Sequence, residues 1–462
     1  MITKLHHGFA PIIVIGIISG VLSWDGEFDG GDIAAARKSY LGDSPIDIWG
    51  AFSGFFYGNF PNVFIPWGAW LLLFHLFCTV LGLFLIWKHL LANKVSRLTY
   101  LCFVSISYVL IGFVCYLTRD STMAALYTLG LGIVIVSEKA KLKYFYILFF
   151  LGVCITSVSI SFRPWLFFAS IFPILLINRS VRYKRLLIGV LAIIPFLLDQ
   201  LSYSTGDFNK VHPELQVVIH DLGYMSCVSN DKNIRTEATN ILNSISATSY
   251  TNTELCGDFR LSTWQGLGKW SASPKELGIT FEPFDSPSKI TISTTMTESK
   301  YDEIRNKYLT FLVTNSKDYL QNKIIQLTQV VAAGDTFGFR VFENSTRKIE
   351  IKNLFFVPYD FLISFHLLSP LFTIIFAAML IFIRYSKLSL ELIFINTKML
   401  PAAIFVISWS ILTTIAYIND IGRYVYLSTL IFYLLLILDI PTLESMRKQL
   451  KVKSAIIFRE ND

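Results

Sequence analysis

The chain has 462 residues, of which 53% are hydrophobic, 15% aromatic and only 16% charged, and its mean hydropathy is +0.54. Soluble domains carry about a quarter charged residues, so the composition excludes an ordinary soluble protein and makes a bilayer the main solvent. The net charge of +7 is no sign of nucleic-acid binding, because the Lys and Arg sit mostly in short loops between apolar runs, where the positive-inside rule puts them.

Residues 8–24 (GFAPIIVIGIISGVLSW) form the first apolar run, after the short basic start MITKLHH. No small-x-small cleavage site follows the run, so a membrane span is expected and not a cleaved signal peptide. Beyond it lies Trp24 to Pro66, which opens with Asp25, Glu27, Asp29 and Asp32. Such an acidic cluster beside a span is costly to hold there without a function. Further spans are expected at 62–87, 99–117, 121–137, 144–162, 165–178 and 186–201. Strongly basic loops alternate with weakly charged ones, which puts the basic ones in the cytoplasm. The loop 25–61, the turns at 118–121 and 163–164, and the chain after Tyr203 then share the opposite face.

Residues 203–355 are polar and long enough for a core of their own, and a mixed α/β fold is expected there. Helical periodicity falls at 234–246 and 302–331, and strand-like alternation at 337–343 and 348–356. Spans resume at 357–383, 399–418 and 424–440, ahead of a basic tail. The whole reads as about ten spans with both termini inside. It divides into a transmembrane part (1–202) with the 25–61 loop, an extracytoplasmic domain (203–355) and a C-terminal transmembrane part (356–462).

Six cysteines are present. Cys78, Cys102, Cys115 and Cys154 lie in expected spans, where a thiol is a small apolar residue. Cys227 and Cys256 lie in the extracytoplasmic domain, and a disulfide between them would close a loop of about 30 residues, contributing about 3–4 kcal/mol. The other reading is two free buried thiols. No group of residues has metal-ligand spacing. The spans hold few ionisable residues, His75 and His366 being the main ones, which argues against an ion-coupled transporter.

Charge gathers instead where helices reach the extracytoplasmic face. Arg119 and Asp120 follow the third span, Arg163 the fifth, and Asp420 and Arg423 precede the last. Arginine offers a planar fork suited to phosphate oxygens, and a nearby carboxylate can take a proton from a hydroxyl. Taken singly, Arg119 and Arg163 are better explained by snorkelling to lipid headgroups, and Arg423 can do the same; only their shared side with the acidic loop favours a functional reading. Asp32 reads as the N-cap of a helix IAAARKSYL stopped by Gly42, and Ser44, Pro45 and Asp47 as the start of a second. Asp29, followed by two glycines, has no such structural explanation. The base candidates rank Asp29, Asp32, Asp25, with Asp120, Glu27 and Tyr424 as supporting groups. The amphipathic pieces 33–41 and 46–57 either lie in the membrane interface or pack on the soluble domain.

These features together resemble the GT-C superfamily of membrane glycosyltransferases. The resemblance rests on the acidic first loop Asp25–Phe56 with its two short helices, on Asn59-Phe60-Pro61, on Arg119-Asp120, on Arg163-Pro164 and on Gly422-Arg423-Tyr424. The loop lacks the Asp-Glu pair common in several members of the superfamily. The size and placement of the soluble domain resemble serotype-converting O-antigen glucosyltransferases of bacteria and phages. The resemblance implies a polyprenyl-phosphate hexose donor, a glycan or lipid-linked polysaccharide acceptor and a bacterial inner membrane with the soluble domain periplasmic. It also implies a first-loop carboxylate as base and arginines, Arg423 with Arg119 and Arg163, on the phosphate. No cofactor is required, although the Asp29–Asp32 spacing could host a divalent cation. Tyr224, Trp264 and Trp270 are of the kind that stack on sugars. A flippase, a surface-polysaccharide polymerase or ligase, and a non-catalytic assembly protein are the competing readings.

Overall fold

The structure, a computed structural model, describes residues 2–23, 31–42, 50–91, 97–115, 117–176, 184–206, 208, 212, 215–245, 268–270, 290–292, 297–321, 323–324, 373–379, 399–416 and 428–437. In its N-terminal half, α1 is Ile2–Leu22, α2 Gly31–Leu41, α3 Ala51–Gly58, α4 Trp67–Leu91 and α5 Arg97–Cys115. Then come α6 (Arg119–Ser137), α7 (Leu142–Ile160), a 3-10 turn (Pro164–Leu166), α8 (Phe167–Leu175) and α9 (Lys184–Gly206). Helices α10 (Leu215–Val228), α11 (Lys232–Ile245), α12 (Glu298–Thr314) and α13 (Met399–Ala416) complete the order.

The protein is a helical membrane protein. Three described helices are long and apolar enough to cross a bilayer: Trp67–Leu90, Arg119–Ser137 and Leu142–Ile160. Their burial differs in a way that fixes the layout. The apolar stretch of α6 is 89% buried, against 50% for α4 and 44% for α7, so α6 is the axis and its neighbours face outward. Glycines let the backbones meet. Gly82 of α4 lies against Thr128 and Gly132 of α6, and Gly130 of α6 lies against Gly152 of α7. Small residues at such crossings permit the close approach on which helix association in lipid depends. Shorter apolar helices, among them Gly8–Val21, Thr99–Cys115 and Ser428–Ile437, complete the bundle. The run at 165–178 is not one span: the 3-10 turn redirects the chain and α8, with nine residues, extends only about 14 Å. Its Phe172 stacks on Phe405 of α13 at 4.1 Å, and the Tyr127 hydroxyl of α6 donates to the Ala169 carbonyl at 3.0 Å.

The mixed α/β fold expected for 203–355 is not supported. The described part is a helical module with its own core, built from Leu222, Met225, Leu242, Ile304 and Phe311 among others. Helix α11 buries Ile234, Ala238, Ile241, Leu242 and Ile245, the stripe that a 3.6-residue period requires. Among the described residues, strand is confined to the parallel pair β1 (Gly268–Trp270) and β2 (Ile290–Ile292), with Gly268 opposite Ile290. The alternation at 337–343 and 348–356 lies outside the described residues, as does Cys256. Cys227 is disulfide-bonded, whereas Cys78, Cys102, Cys115 and Cys154 are free thiols.

This module carries a buried ion pair. Lys323 Nζ stands 2.8 Å from Asp221 Oδ1, and both side chains are almost wholly buried. The Tyr308 hydroxyl donates to Asp221 Oδ2 at 2.7 Å. Burial, and then the Asp221 carboxylate, push the Tyr308 hydroxyl far above the ordinary tyrosine pKa, so it stays a donor. Lys323→Met is expected to destabilise the module by about 3–5 kcal/mol, because it removes the cation facing a buried carboxylate. Hydrogen exchange at the α10 and α12 amides should then accelerate on the order of a hundred-fold or more. Unchanged exchange would show that the pair contributes nothing.

Candidate functional site

The first loop after α1 folds into two short helices whose ends are closed by charged groups from elsewhere. Three consecutive alanines favour α2, and Gly42 ends it, its N–H donating to the Ser39 carbonyl at 3.3 Å. Helix α3 starts from Gly50, whose φ of +84° favours glycine. Its first turn is capped by Asp199 of α9, which accepts the Phe52 N–H at 3.1 Å. At the other end, Arg37 of α2 donates to the carbonyls of Tyr57, Gly58 and Phe60. An acid at the N-terminus and a base at the C-terminus both complement the helix dipole. The Arg37 guanidinium also lies over the Trp67 ring, 5.1 Å from its centroid, and burial pulls its pKa below the ordinary arginine value. Gly58 admits the Tyr40 ring and Gly54 the Phe208 ring, where any Cβ would collide. Arg37 thereby ties the helix that follows the acidic cluster to the one that leads back to the membrane.

Helix α3 docks on the bundle through a chain of hydrogen bonds. The Tyr57 hydroxyl meets Thr122 Oγ1 of α6 at 2.9 Å, and Thr122 Oγ1 meets His75 Nε2 of α4 at 2.8 Å. His75 Nδ1 reaches the Val114 carbonyl of α5 at 3.0 Å. A carbonyl only accepts, so a neutral imidazole carries its proton on Nδ1, and the single Thr122 hydroxyl proton faces both His75 Nε2 and the Thr118 carbonyl at 3.1 Å. Around this chain, Phe52, Phe56 and Tyr57 surround Phe162, with Phe52 and Phe56 each 5.1 Å from it between ring centroids.

Phe162 leads directly into Arg163. Its guanidinium grips Asp120 through two bonds, Nε to Oδ1 at 2.9 Å and Nη2 to Oδ2 at 3.2 Å. Both residues are buried, at 3% and 2% exposure, so the pair is desolvated and bidentate. Asp120 occupies the first turn of α6, which Thr118 and Ser121 close as a capping box. Arg119 is the first residue of that helix and is half-buried.

The sequence-derived site residues fall as follows. Asp120 and Arg163 come together, and Arg119 stands beside them in the chain. Arg163 is buried and gripped by Asp120, and so ties α6 to the turn after α7. Asp32 lies within the first turn of α2, which begins at Gly31, so it is not that helix's N-cap. The two first-loop helices are packed into the bundle, with Ala35, Phe52 and Tyr57 in its core. They also touch the start of the 203–355 region, where the Phe208 ring meets Tyr40 at 5.8 Å between centroids. Asp25, Glu27, Asp29, Asp420, Arg423, Tyr424 and Trp264 lie outside the described residues.

Sequence reasoning missed Arg37, Asp199 and the Tyr57–Thr122–His75 chain. Asp199 ends the apolar run 186–201, and His75 sits mid-span. An ionisable residue in such a run was the available signal that a partner lies opposite. In the helical module, a cleft of about 440 Å³ between α11 and α12 is lined by Glu237, Asn240, Ile241, Asn306, Lys307 and Thr310. Comparisons of the chain with protein-family models, curated proteins and solved structures return no match.

Proposed function

We propose that the chain is an inverting glycosyltransferase of the GT-C type, moving a hexose, glucose in the first instance, from a polyprenyl-phosphate carrier to an extracytoplasmic glycan such as lipid-linked O-antigen. One observation carries the reading. Three stretches remote in sequence converge on one place: the first-loop helix α3, the Arg119-Asp120 turn and the Arg163 turn. The Tyr57–Thr122 bond, the Phe162 ring cluster and the Asp120–Arg163 pair join them. A carboxylate of the acidic stretch as base and the cationic groups of these turns on a lipid phosphate would suit such a transfer.

In the reaction, Asp29 or Asp32 takes the proton of an acceptor hydroxyl. That oxygen attacks the anomeric carbon, the new C–O bond forms, and the bond from the anomeric carbon to the phosphate oxygen breaks. The polyprenyl phosphate leaves with the bonding electrons, its charge met by Arg423 and Arg119. Arg163 acts one step removed, by fixing Asp120 and the first turn of α6. No cofactor takes part. The chain sits in a bacterial inner membrane with about ten spans, both termini cytoplasmic and residues 203–355 periplasmic.

The roles of the arginines separate in kinetics. Arg423→Ala and Arg119→Ala are each expected to raise the KM for the polyprenyl-phosphate hexose about ten-fold or more, the worth of a lost hydrogen bond to a charged group. Arg163→Ala should instead reduce the yield of folded protein, because it removes the cation paired with the buried Asp120. Unchanged donor KM in both Arg423→Ala and Arg119→Ala would sink the phosphate assignment.

A further inference from the structure

Between α3 and α4 the chain makes a short apolar loop, Asn62 to Pro66, that no part of the proposed reaction uses. Phe64 is at its tip. The side chain is 99% exposed and the backbone has φ +67°, a left-handed conformation that a bulky residue rarely adopts. Val63 beside it is 55% exposed, and Pro61 and Pro66 are exposed too. The presentation is held from both sides. Asn62 Oδ1 accepts the Trp67 N–H at 3.1 Å, and the Trp70 indole N–H donates to the Val63 carbonyl at 2.9 Å. A fixed, strained loop that turns an aromatic ring fully outward needs something to cover it.

The position of the loop identifies the cover. Helix α4 begins three residues after Phe64 and has 25 residues, so it is about 37 Å long, against about 30 Å for the hydrocarbon core of a bilayer. The excess places its first turn and the preceding loop at headgroup height. Trp67 and Trp70 on that turn are interfacial residues by type. The outward face of α4 continues from the loop through Leu73 and Phe77, which are 43% and 63% exposed. From residue 48 to residue 87 there is no Asp, Glu, Lys or Arg to resist insertion.

We infer that the loop Asn62–Pro66 is a membrane wedge, with Phe64 and Val63 inserted among the lipid headgroups and upper acyl chains on the side of the bilayer where α4 begins. The wedge sets the depth of α3, and through Arg37 that of α2. This inference requires only that α4 crosses the membrane, and it stands apart from the glycosyl-transfer reading.

The test places an environment-sensitive fluorescent amino acid at position 64 of the full chain, reconstituted in phosphatidylcholine–phosphatidylglycerol vesicles. The same probe goes separately at Val63, in case the first variant does not fold, and at Asn230, an exposed residue of the α10–α11 turn, as an aqueous control. Emission from position 64 or 63 is expected to fall about two-fold or more with bromine on the upper acyl chains, and to resist aqueous iodide that quenches the Asn230 probe. Iodide quenching equal to that at Asn230 would overturn the inference. Shielding from iodide with no effect of lipid bromine would overturn it as well, and would point to a protein partner.

Discussion

Asp29→Asn and Asp32→Asn, made singly, are expected to leave the protein folded and one of them to lower sugar transfer by about 10²–10⁴-fold. The change swaps a carboxylate for an amide of the same shape, so packing is untouched and only the proton acceptor is lost. General base catalysis contributes a factor of that size, equivalent to about 3–5 kcal/mol in the barrier. The loss should appear in kcat with little change in the donor KM, because the base acts on the acceptor hydroxyl and not on the lipid phosphate. A cap role for Asp32 would leave Asp29 as the better base, but α2 starts at Gly31 and so takes Asp32 into its first turn, and the two carboxylates stand level. Asp25, close to the end of α1, is the third to test. Full activity in both of the first two variants would remove the base from this stretch of the loop.

Gly132→Val is expected to be the most damaging single change in the bundle. A Cβ at this position would stand 2.5 Å from the Gly82 carbonyl oxygen and 3.1 Å from its carbonyl carbon and Cα. The obstacle is backbone, which cannot rotate aside as a side chain can. The reverse contact is as close, since a Cβ on Gly82 would meet the Thr128 carbonyl oxygen at 2.5 Å. Helices α4 and α6 would have to separate along their length, and α6 is the axis on which α7 also packs. Overpacking ordinarily costs about 1–3 kcal/mol, and a backbone-to-backbone clash belongs at or above the upper end. Thermal stability in detergent, followed by loss of the folded peak on size exclusion, reads the effect. Gly16→Ala is the matched control, because its Cβ would meet only a Val80 methyl at 3.2 Å. Equal stability of the two variants would contradict the close α4–α6 crossing.

The sequence made the membrane part legible where a single number decides it. Helices α4, α6 and α7 are long apolar runs, and length with hydropathy suffices to find them. Apolar length failed at 165–178, where Arg163-Pro164 begins a 3-10 turn and α8 stops after nine residues. Charge placement put Asp120 and Arg163 among the residues gathered at helix ends, and the two meet. It could not say that the two bind each other, since that depends on how the turn after α7 folds over the start of α6. Arg37 was invisible for a related reason: its partners are backbone carbonyls about 20 residues away, and a carbonyl has no signature in the sequence. Asp32 moved from cap to first turn because helix starts read from composition are uncertain by one or two residues. In 203–355, polar residues among short apolar groups permitted either strands or helices. The described residues resolve most of that choice toward helices, through the shared core of α10, α11 and α12.

The central claim is that a lipid-linked phosphate sugar is the donor, and the identity of the donor tests it most directly. Purified full-length protein in vesicles is given an acceptor glycan with either radiolabelled polyprenyl-phosphate glucose or the corresponding nucleotide sugar, and label in the glycan is counted. Transfer from the polyprenyl-phosphate sugar alone, abolished in the variant lacking both Asp29 and Asp32, is the predicted result. Transfer from the nucleotide sugar, or movement of the lipid-linked sugar across the vesicle membrane without any label reaching the glycan, would contradict it.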